Sequence, residues 1–211
     1  MSIERAKDIK IVLFDVDGVL TDGKLWLFPA PAGAQQSTQQ HAQAKADAGG
    51  YGIVSSNIIE AKGFHAHDGV AMSLARLGGL KLGVITKRIS ETVALRARDL
   101  RLDYVYQGQN NKLEALEKIV SAEKVQDKNV SYMGDDIMDL PVLRRCGLAI
   151  SVPNARKEVR DEAHFVTEHA GGEGAARDAV EYILRAQGKW DEILKKYIAG
   201  KMEPTAMQPT Q

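Results

Sequence analysis

Two aspartates spaced two apart, Asp15 and Asp17, end the apolar run IVLF at residues 11–14, and Gly18 follows at once. Three further carboxylates crowd the segment GDDIMD: Asp135, Asp136 and Asp139. Thr86 ends the run LKLGVIT, and Lys112 closes the triplet NNK. One carboxylate can attack phosphorus and a second can carry a proton, while a hydroxyl and an ammonium hold the phosphoryl oxygens. Clustered hard oxygen ligands suit Mg²⁺, which takes carboxylates, keeps waters and is often shared with a phosphate. Together these are the groups that phosphoryl transfer to water requires. Each piece alone has a plainer reading, since Asp-x-Asp at a strand end makes a turn or a helix cap, and GDDIMD caps a helix equally well. Order and position favour the chemistry, because each group ends or follows a different strand.

The elements that must position these groups alternate along the chain. Short apolar, β-branched runs predict strands at 9–14, 80–86, 102–108, 129–136 and 148–152, with a last short one at 163–167. Helical patterns lie between them: GVAMSLARLG, SETVALRARDLR with Ser90 as its N-cap, KLEALEKIVSAEK, and MDLPVLRRCG ending at Gly147 as a C-cap. Such alternation predicts right-handed βαβ units and a doubly wound α/β fold with a parallel sheet. Ligands then bind at the carboxyl ends of the strands, where Asp15, Thr86, Lys112 and Asp135 fall. Two segments break the rhythm. Residues 29–51 are rich in Ala, Gln, Gly and Pro and read as an exposed loop, flanked by KLWLF and GIVSSNIIEAKGF, which can pair as a β-hairpin. At the C-terminal end, Trp190, Ile193, Leu194 and Tyr197 share one helical face, and KMEPTAMQPTQ reads as disordered. The predicted organisation is a core over 1–188, with the hairpin and insertion at about 24–64, and a helix and tail over 189–211.

The stretches DVDGVLTDG, VITKR, NNK and GDDIMDLPV resemble the four motifs of the haloacid dehalogenase superfamily of phosphotransferases. The resemblance implies Asp15 as the nucleophile, forming an aspartyl-phosphate, and Asp17 as the group that protonates the leaving alcohol and then activates water. It implies Thr86 and Lys112 as partners of the phosphoryl group, and Mg²⁺ held by Asp15, Asp135 and the main-chain carbonyl of Asp17, with Asp136 and Asp139 behind them. DVDGVLTDGKLW, FHAHDGVAM, YVYQGQNNK and AGGEGAARDAVEYILRAQGKW are similar to a narrower group, the small cap-less phosphatases of 8-phosphorylated 3-deoxy-octulosonate or 9-phosphorylated nonulosonates. Those enzymes are tetramers in which a hairpin and a neighbour's tail help to close the site, so a homo-oligomer is implied. Three departures bear on substrate: Lys87 and Arg88 stand where the family reads Gly-Arg, His67 replaces an Arg, and Glu173 replaces the Arg of the glycine-rich tail. Asp68, Gly69, Lys87, Arg88 and Glu173 are the candidate substrate contacts, although Asp68-Gly69 reads equally well as a helix cap.

Composition narrows the classes. Twenty-eight basic and 28 acidic residues cancel, which gives no electrostatic reason to expect nucleic acid or an anionic membrane as partner. Cys146 is the single cysteine, so there is no disulfide framework, and it reads as a packed thiol rather than a nucleophile. Neither a signal peptide nor a run long enough to span a bilayer is apparent, and the predicted location is the cytoplasm. The leading expectation is a Mg²⁺-dependent phosphatase acting on a phosphorylated sugar acid. The alternatives are a phosphatase for another sugar phosphate or a nonulosonate 9-phosphate, and a catalytically weak scaffold of the same fold.

Overall fold

The computed structural model describes residues 2–30 and 58–200; the predicted loop at 29–51 and the predicted disordered tail lie largely outside them. The apolar runs form a six-stranded parallel sheet: β1 (Ile11–Phe14), β4 (Lys81–Ile85), β5 (Tyr104–Tyr106), β6 (Val130–Gly134), β7 (Leu148–Ser151) and β8 (Phe165–Val166), in the order β5-β4-β1-β6-β7-β8. Strands β1, β6 and β7 are buried at every residue, as strands covered on both faces must be. The shorter β5 and β8 form the edges. The order reverses at β1, with Ile11 paired to Lys81 on one side and Val130 on the other, and this opens a crevice at its carboxyl end. The predicted hairpin is present as an antiparallel pair, β2 (Trp26–Pro29) and β3 (Ile58–Ala61).

The helices gather in two groups. In the first, α7 (Ala175–Ala186) packs against α1 (Ser2–Lys7) and α2 (Ala66–Leu77), burying Ala176, Ala179, Val180, Ile183 and Leu184 along one stripe. In the second, α4 (Lys112–Glu123) packs against α5 (Leu140–Leu143), which in turn meets α6 (Lys157–Glu162). The remaining α3 (Glu91–Asp99) starts at Ser90, as expected, but without a side-chain capping bond. The helix expected over MDLPVLRRCG is divided into a 3₁₀ turn at Ile137–Asp139 and then α5. Pro141 has no N–H for the carbonyl of Ile137, so the regular ladder cannot run through this point. Gly147 is not the helix cap either. Its N–H donates to the carbonyls of Asp127 and Val130, and a Cβ there would collide with the carbonyl of Lys128.

The last helix, α8 (Trp190–Ile198), leans on α7. Of its predicted apolar face only Trp190 and Ile193 are buried, while Leu194 and Tyr197 stay exposed because α8 meets its neighbour along one narrow stripe. Arg185 lies over the Trp190 ring at 4.5 Å from its centroid. Among the described residues no helix is long and apolar enough to cross a membrane.

Candidate active site

The loop after β1 turns tightly. The carbonyl of Val16 accepts from the N–H groups of Leu20 and Thr21 at 2.9 and 3.0 Å, and Gly18 has φ +88°. A Cβ on Gly18 would collide with Asp135 Oδ2, so glycine is needed both for the conformation and for the approach of that carboxylate. Asp15 is buried at the head of this loop, where its Oδ1 accepts from Val16 N at 2.7 Å and its Oδ2 lies 2.9 Å from Lys112 Nζ. Lys112 is the first residue of α4, whose Asn111 cap accepts from Leu113 N. Its ammonium also donates to Asp139 Oδ1 at 2.7 Å and to the Tyr132 hydroxyl at 3.2 Å.

Asp139 is wholly buried, with every contact committed. Besides the Lys112 bond, Oδ1 accepts from the Tyr132 hydroxyl at 2.6 Å, and Oδ2 accepts from Asp135 N and Asp136 N at 3.0 and 3.2 Å. Its side chain packs where a Cβ on Gly134 would stand. Asp15, Asp135 and Asp139 lie close enough to hold one cation, with ligand atoms within 4.8 Å of one another. Because Asp139 is already saturated, we read it as the residue that orients the other two. Asp135 Oδ1 is buried without a hydrogen-bond partner, and that is the atom a cation would satisfy. Asp136 is exposed and caps the 3₁₀ turn, its Oδ1 accepting from Ile137 N. A pair of carboxylates with one open oxygen fits the hard, part-hydrated coordination of Mg²⁺.

Electrostatics point the same way. Burial, with Asp139 nearby, pushes Asp15 up to about 7 against the pull of Lys112. Burial and the charges of Asp15, Asp139 and Asp136 push Asp135 up to about 8. For Lys112 burial acts downward, but the two carboxylates outweigh it and hold its pKa above the ordinary lysine value. Burial and the Asp139 charge hold Tyr132 neutral, far above the usual phenol range. Burial alone pushes the Cys146 thiol up to about 12, which suits a packed thiol.

The other predicted contacts are dispersed. Thr86 is buried after β4, its N–H donating to Tyr106 O at 2.9 Å, and the half-buried Lys87 and Arg88 follow it. Asp17 meets Lys62 and Arg88. Asp68 is buried and caps α7 from α2, its Oδ1 accepting from Arg177 N at 3.0 Å. Gly69 abuts Arg96 and Leu100 of α3. Glu173 is exposed on a turn whose Gly171 and Gly172 pack closely on the 18–22 loop, and Asn154 ties the two together by donating to Gly18 O and accepting from Gly171 N. Near this turn His65 caps α2, and its ring meets that of His67 edge to face at 4.7 Å between centroids. Tyr132, Lys62, Glu60 and Asn154 are site neighbours that the motifs do not single out. Tyr132 hides inside an apolar strand, and Glu60-Ala61-Lys62 looks like a solvated hairpin end.

The raised carboxyls generate a pH dependence with a defined sign. Asp15 and Asp135 hold their protons in the folded, metal-free protein well above the ordinary carboxylate range. The folded state therefore binds more protons than the unfolded chain between about pH 4 and pH 8, and stability falls as pH rises through that window. A bound cation removes this penalty by replacing the protons. The expected outcome is a metal-free Tm that declines from about pH 5 to about pH 8, and a Mg²⁺-induced rise in Tm that grows over the same range. A Mg²⁺ shift in thermal melts that is equal at both ends would contradict the carboxylate cluster as its origin.

Comparison with known proteins places this geometry. Residues 84–177 match the haloacid dehalogenase-like hydrolase family. The chain is 32% identical over 190 residues to the 3-deoxy-D-manno-octulosonate 8-phosphate phosphatase of Escherichia coli strain K12, covering 90% of this chain and 87% of that one. The crystal structure of the phosphatase of the same name from Moraxella catarrhalis, in complex with magnesium, phosphate and KDO, matches with a TM-score of 0.77 and 31% identity, over 93% of this chain and 97% of that one. The corresponding Yersinia pestis structure matches with a TM-score of 0.74 and 30% identity, over 90% and 88% of the two chains. Identity along most of the length and the likeness of fold agree: the chain belongs to the haloacid dehalogenase-like hydrolases, in the family of the 3-deoxy-D-manno-octulosonate 8-phosphate phosphatases.

Proposed function

We propose that this protein is a Mg²⁺-dependent phosphatase that hydrolyses 3-deoxy-D-manno-octulosonate 8-phosphate through an aspartyl-phosphate on Asp15. One observation carries the reading: Lys112 lies 2.9 Å from the buried Asp15 carboxylate, while the neighbouring Asp135 presents a buried oxygen with no protein partner. The substrate class rests on the family relationship and on the magnesium, phosphate and KDO of the Moraxella catarrhalis structure.

In this reading Asp15, Asp135 and the main-chain carbonyl of Asp17 hold the metal, which when bound neutralises phosphate charge and draws electron density from phosphorus. An Asp15 oxygen attacks phosphorus as the bond to the ester oxygen breaks, and Asp17 gives its proton to the departing alcohol. A water then attacks phosphorus, Asp17 takes the proton of that water, and the Asp15–phosphorus bond breaks to release inorganic phosphate and the free carboxylate. Lys112 pulls against the effect of burial and so favours the ionised Asp15 that attack requires, and the Thr86 hydroxyl and the Lys112 ammonium stabilise the transferring oxygens. Asp139 and Tyr132 hold Lys112 in place. Lys87, Arg88 and Glu173 are proposed to meet the sugar side, whereas Asp68 is committed to capping α7 and Gly69 to packing on α3.

Assembly is part of the same proposal. The hairpin exposes Trp26, Leu27, Phe28, Ile58 and Ile59 together, an apolar surface of the kind that marks an interface. We assign it to a second copy of the chain in a homo-oligomer, most simply a tetramer, in which hairpins cover neighbouring crevices. The buried Cys146 suits a reducing compartment, and we assign the enzyme to the cytoplasm.

Two outcomes are expected. Asp15→Asn should lower kcat for the octulosonate ester by several orders of magnitude while leaving the circular dichroism and melting profile folded, because an amide does not attack phosphorus. Substantial turnover in the purified variant would remove Asp15 from the nucleophile's role. In multi-angle light scattering the wild type should elute as an oligomer, and the Trp26→Glu/Phe28→Glu pair should shift it towards monomer; a fully active wild-type monomer would refute the shared crevice.

A further inference from the structure

Asp17 and three other charged side chains, drawn from three segments in all, close on one another. Lys62, just beyond β3, donates from Nζ to Asp17 Oδ1 and lies 3.6 Å from Glu60 Oε1. Arg88, two residues past Thr86, donates from Nη2 to Glu60 Oε2 at 2.7 Å, and its Nε lies 3.6 Å from Asp17 Oδ2. The Thr92 hydroxyl of α3 donates to the main-chain carbonyl of Glu60 at 3.2 Å, which ties the hairpin end to the first turn of that helix. Two cations and two carboxylates alternate, so the charges balance. The Lys62 side chain is wholly buried, unusual for a lysine at the end of an exposed hairpin. Burial acts to raise Glu60, but the hydrogen bond from Arg88 and the charges of Lys62 and Arg88 outweigh it and hold the carboxyl below its usual value, ready to anchor both cations.

We infer that Lys62, braced by Glu60 and Arg88, is a positioning residue for Asp17. The inference rests on the proposed acid/base role of Asp17 and adds what holds that group in place. A loop carboxylate without a fixed partner rotates freely, whereas one gripped at Oδ1 presents the same oxygen for both proton transfers. Preorganisation of this kind is worth more when the anchor is dry and rigid. Lys62 belongs to the hairpin, so the seating of the hairpin and the aim of Asp17 are joined.

The test compares kcat/KM for two esters in wild type and Lys62→Met, a variant of similar length without charge. As its phosphoryl group passes to Asp15, the octulosonate ester releases an alkoxide that needs the proton of Asp17, whereas p-nitrophenyl phosphate releases a stable phenolate that does not. The expected result is a loss of at least about tenfold for the alkyl ester, less than the roughly 10²–10⁴-fold of the proton transfer itself, with little change for the aryl ester. In an Asp17→Asn background Lys62→Met should cause no further loss, because the two act as a unit. Equal losses for both esters, or an added loss in that background, would overturn the positioning role, since a merely structural lysine acts on both alike. If Lys62→Met does not fold, Glu60→Gln should show the same selectivity at smaller amplitude, and a uniform effect there would equally overturn it. Asp17→Asn that retains alkyl-ester activity would remove the acid/base reading itself, whereas an inactive Asp17→Asn beside a fully active Lys62→Met would remove only the role of Lys62.

Discussion

Lys112 is buried against two carboxylates, Asp15 at 2.9 Å and Asp139 at 2.7 Å, and the rest of the crevice is arranged around that contact. Burying an ammonium is unfavourable unless it is paired and hydrogen-bonded, and here Asp15, Asp139 and the Tyr132 hydroxyl supply three acceptors. The pairing leaves the site with more negative charge than positive, since Asp135 adds a third carboxylate with no cation of its own. That imbalance is the reason Asp15 and Asp135 resist ionisation in the metal-free protein, and it is the electrostatic case for a divalent cation. The same lysine that completes the folded core pulls the proposed nucleophile towards its charged form, against burial. Lys112 therefore serves both the packing and the chemistry of this site, with Asp139 as the partner that stays when Asp15 is neutralised.

The sheet is the means by which distant segments reach one point. Asp15, Thr86 and Asp135 each follow a strand, and Lys112 opens the helix after another, so a parallel register brings residues 15, 86, 112 and 135 to one edge. Glycines permit the final approach: Gly18 clears space for Asp135, and Gly134 for Asp139. On the far side of the crevice the glycine turn at 171–174 lies against the 18–22 loop, held through Asn154, and the hairpin reaches Asp17 through Lys62. Both accessory segments therefore contact the loop after β1 rather than standing free of it.

Much of this is legible in the residues. Strands β1, β4, β6 and β7 read as largely apolar runs because a central parallel strand buries both faces, and Asp15, Lys112, Asp135 and Asp139 are visible because each sits at the boundary of an element. What stays hidden depends on contacts remote in the chain. Helix α1 reads only as a charged stretch, since Ala6 is its one buried residue, and α6 buries only Val159. Gly147 looks like a helix cap, but its need for glycine comes from the carbonyl of Lys128, which no local pattern reveals. Lys62 carries no local mark either: a lysine two residues after a glutamate on an exposed hairpin normally stays in water, and only the fold buries it beneath Asp17. Asp68 reads equally as a substrate contact or a cap, and the structure shows its bond to the N-terminus of α7.

The central claim is that Asp15 becomes covalently phosphorylated. The most direct measurement is to mix Asp17→Asn with Mg²⁺ and an aryl phosphate, quench in acid within one turnover, and map the phosphoryl group by peptide mass spectrometry. An aryl ester does not need the proton of Asp17 to leave, whereas the water that resolves the intermediate does need a base, so the intermediate should accumulate. The account expects one phosphoryl group on the peptide containing Asp15, absent when chelator replaces Mg²⁺. Phosphoryl label on a different residue, or phenolate released within that turnover with no labelled peptide at all, would contradict it.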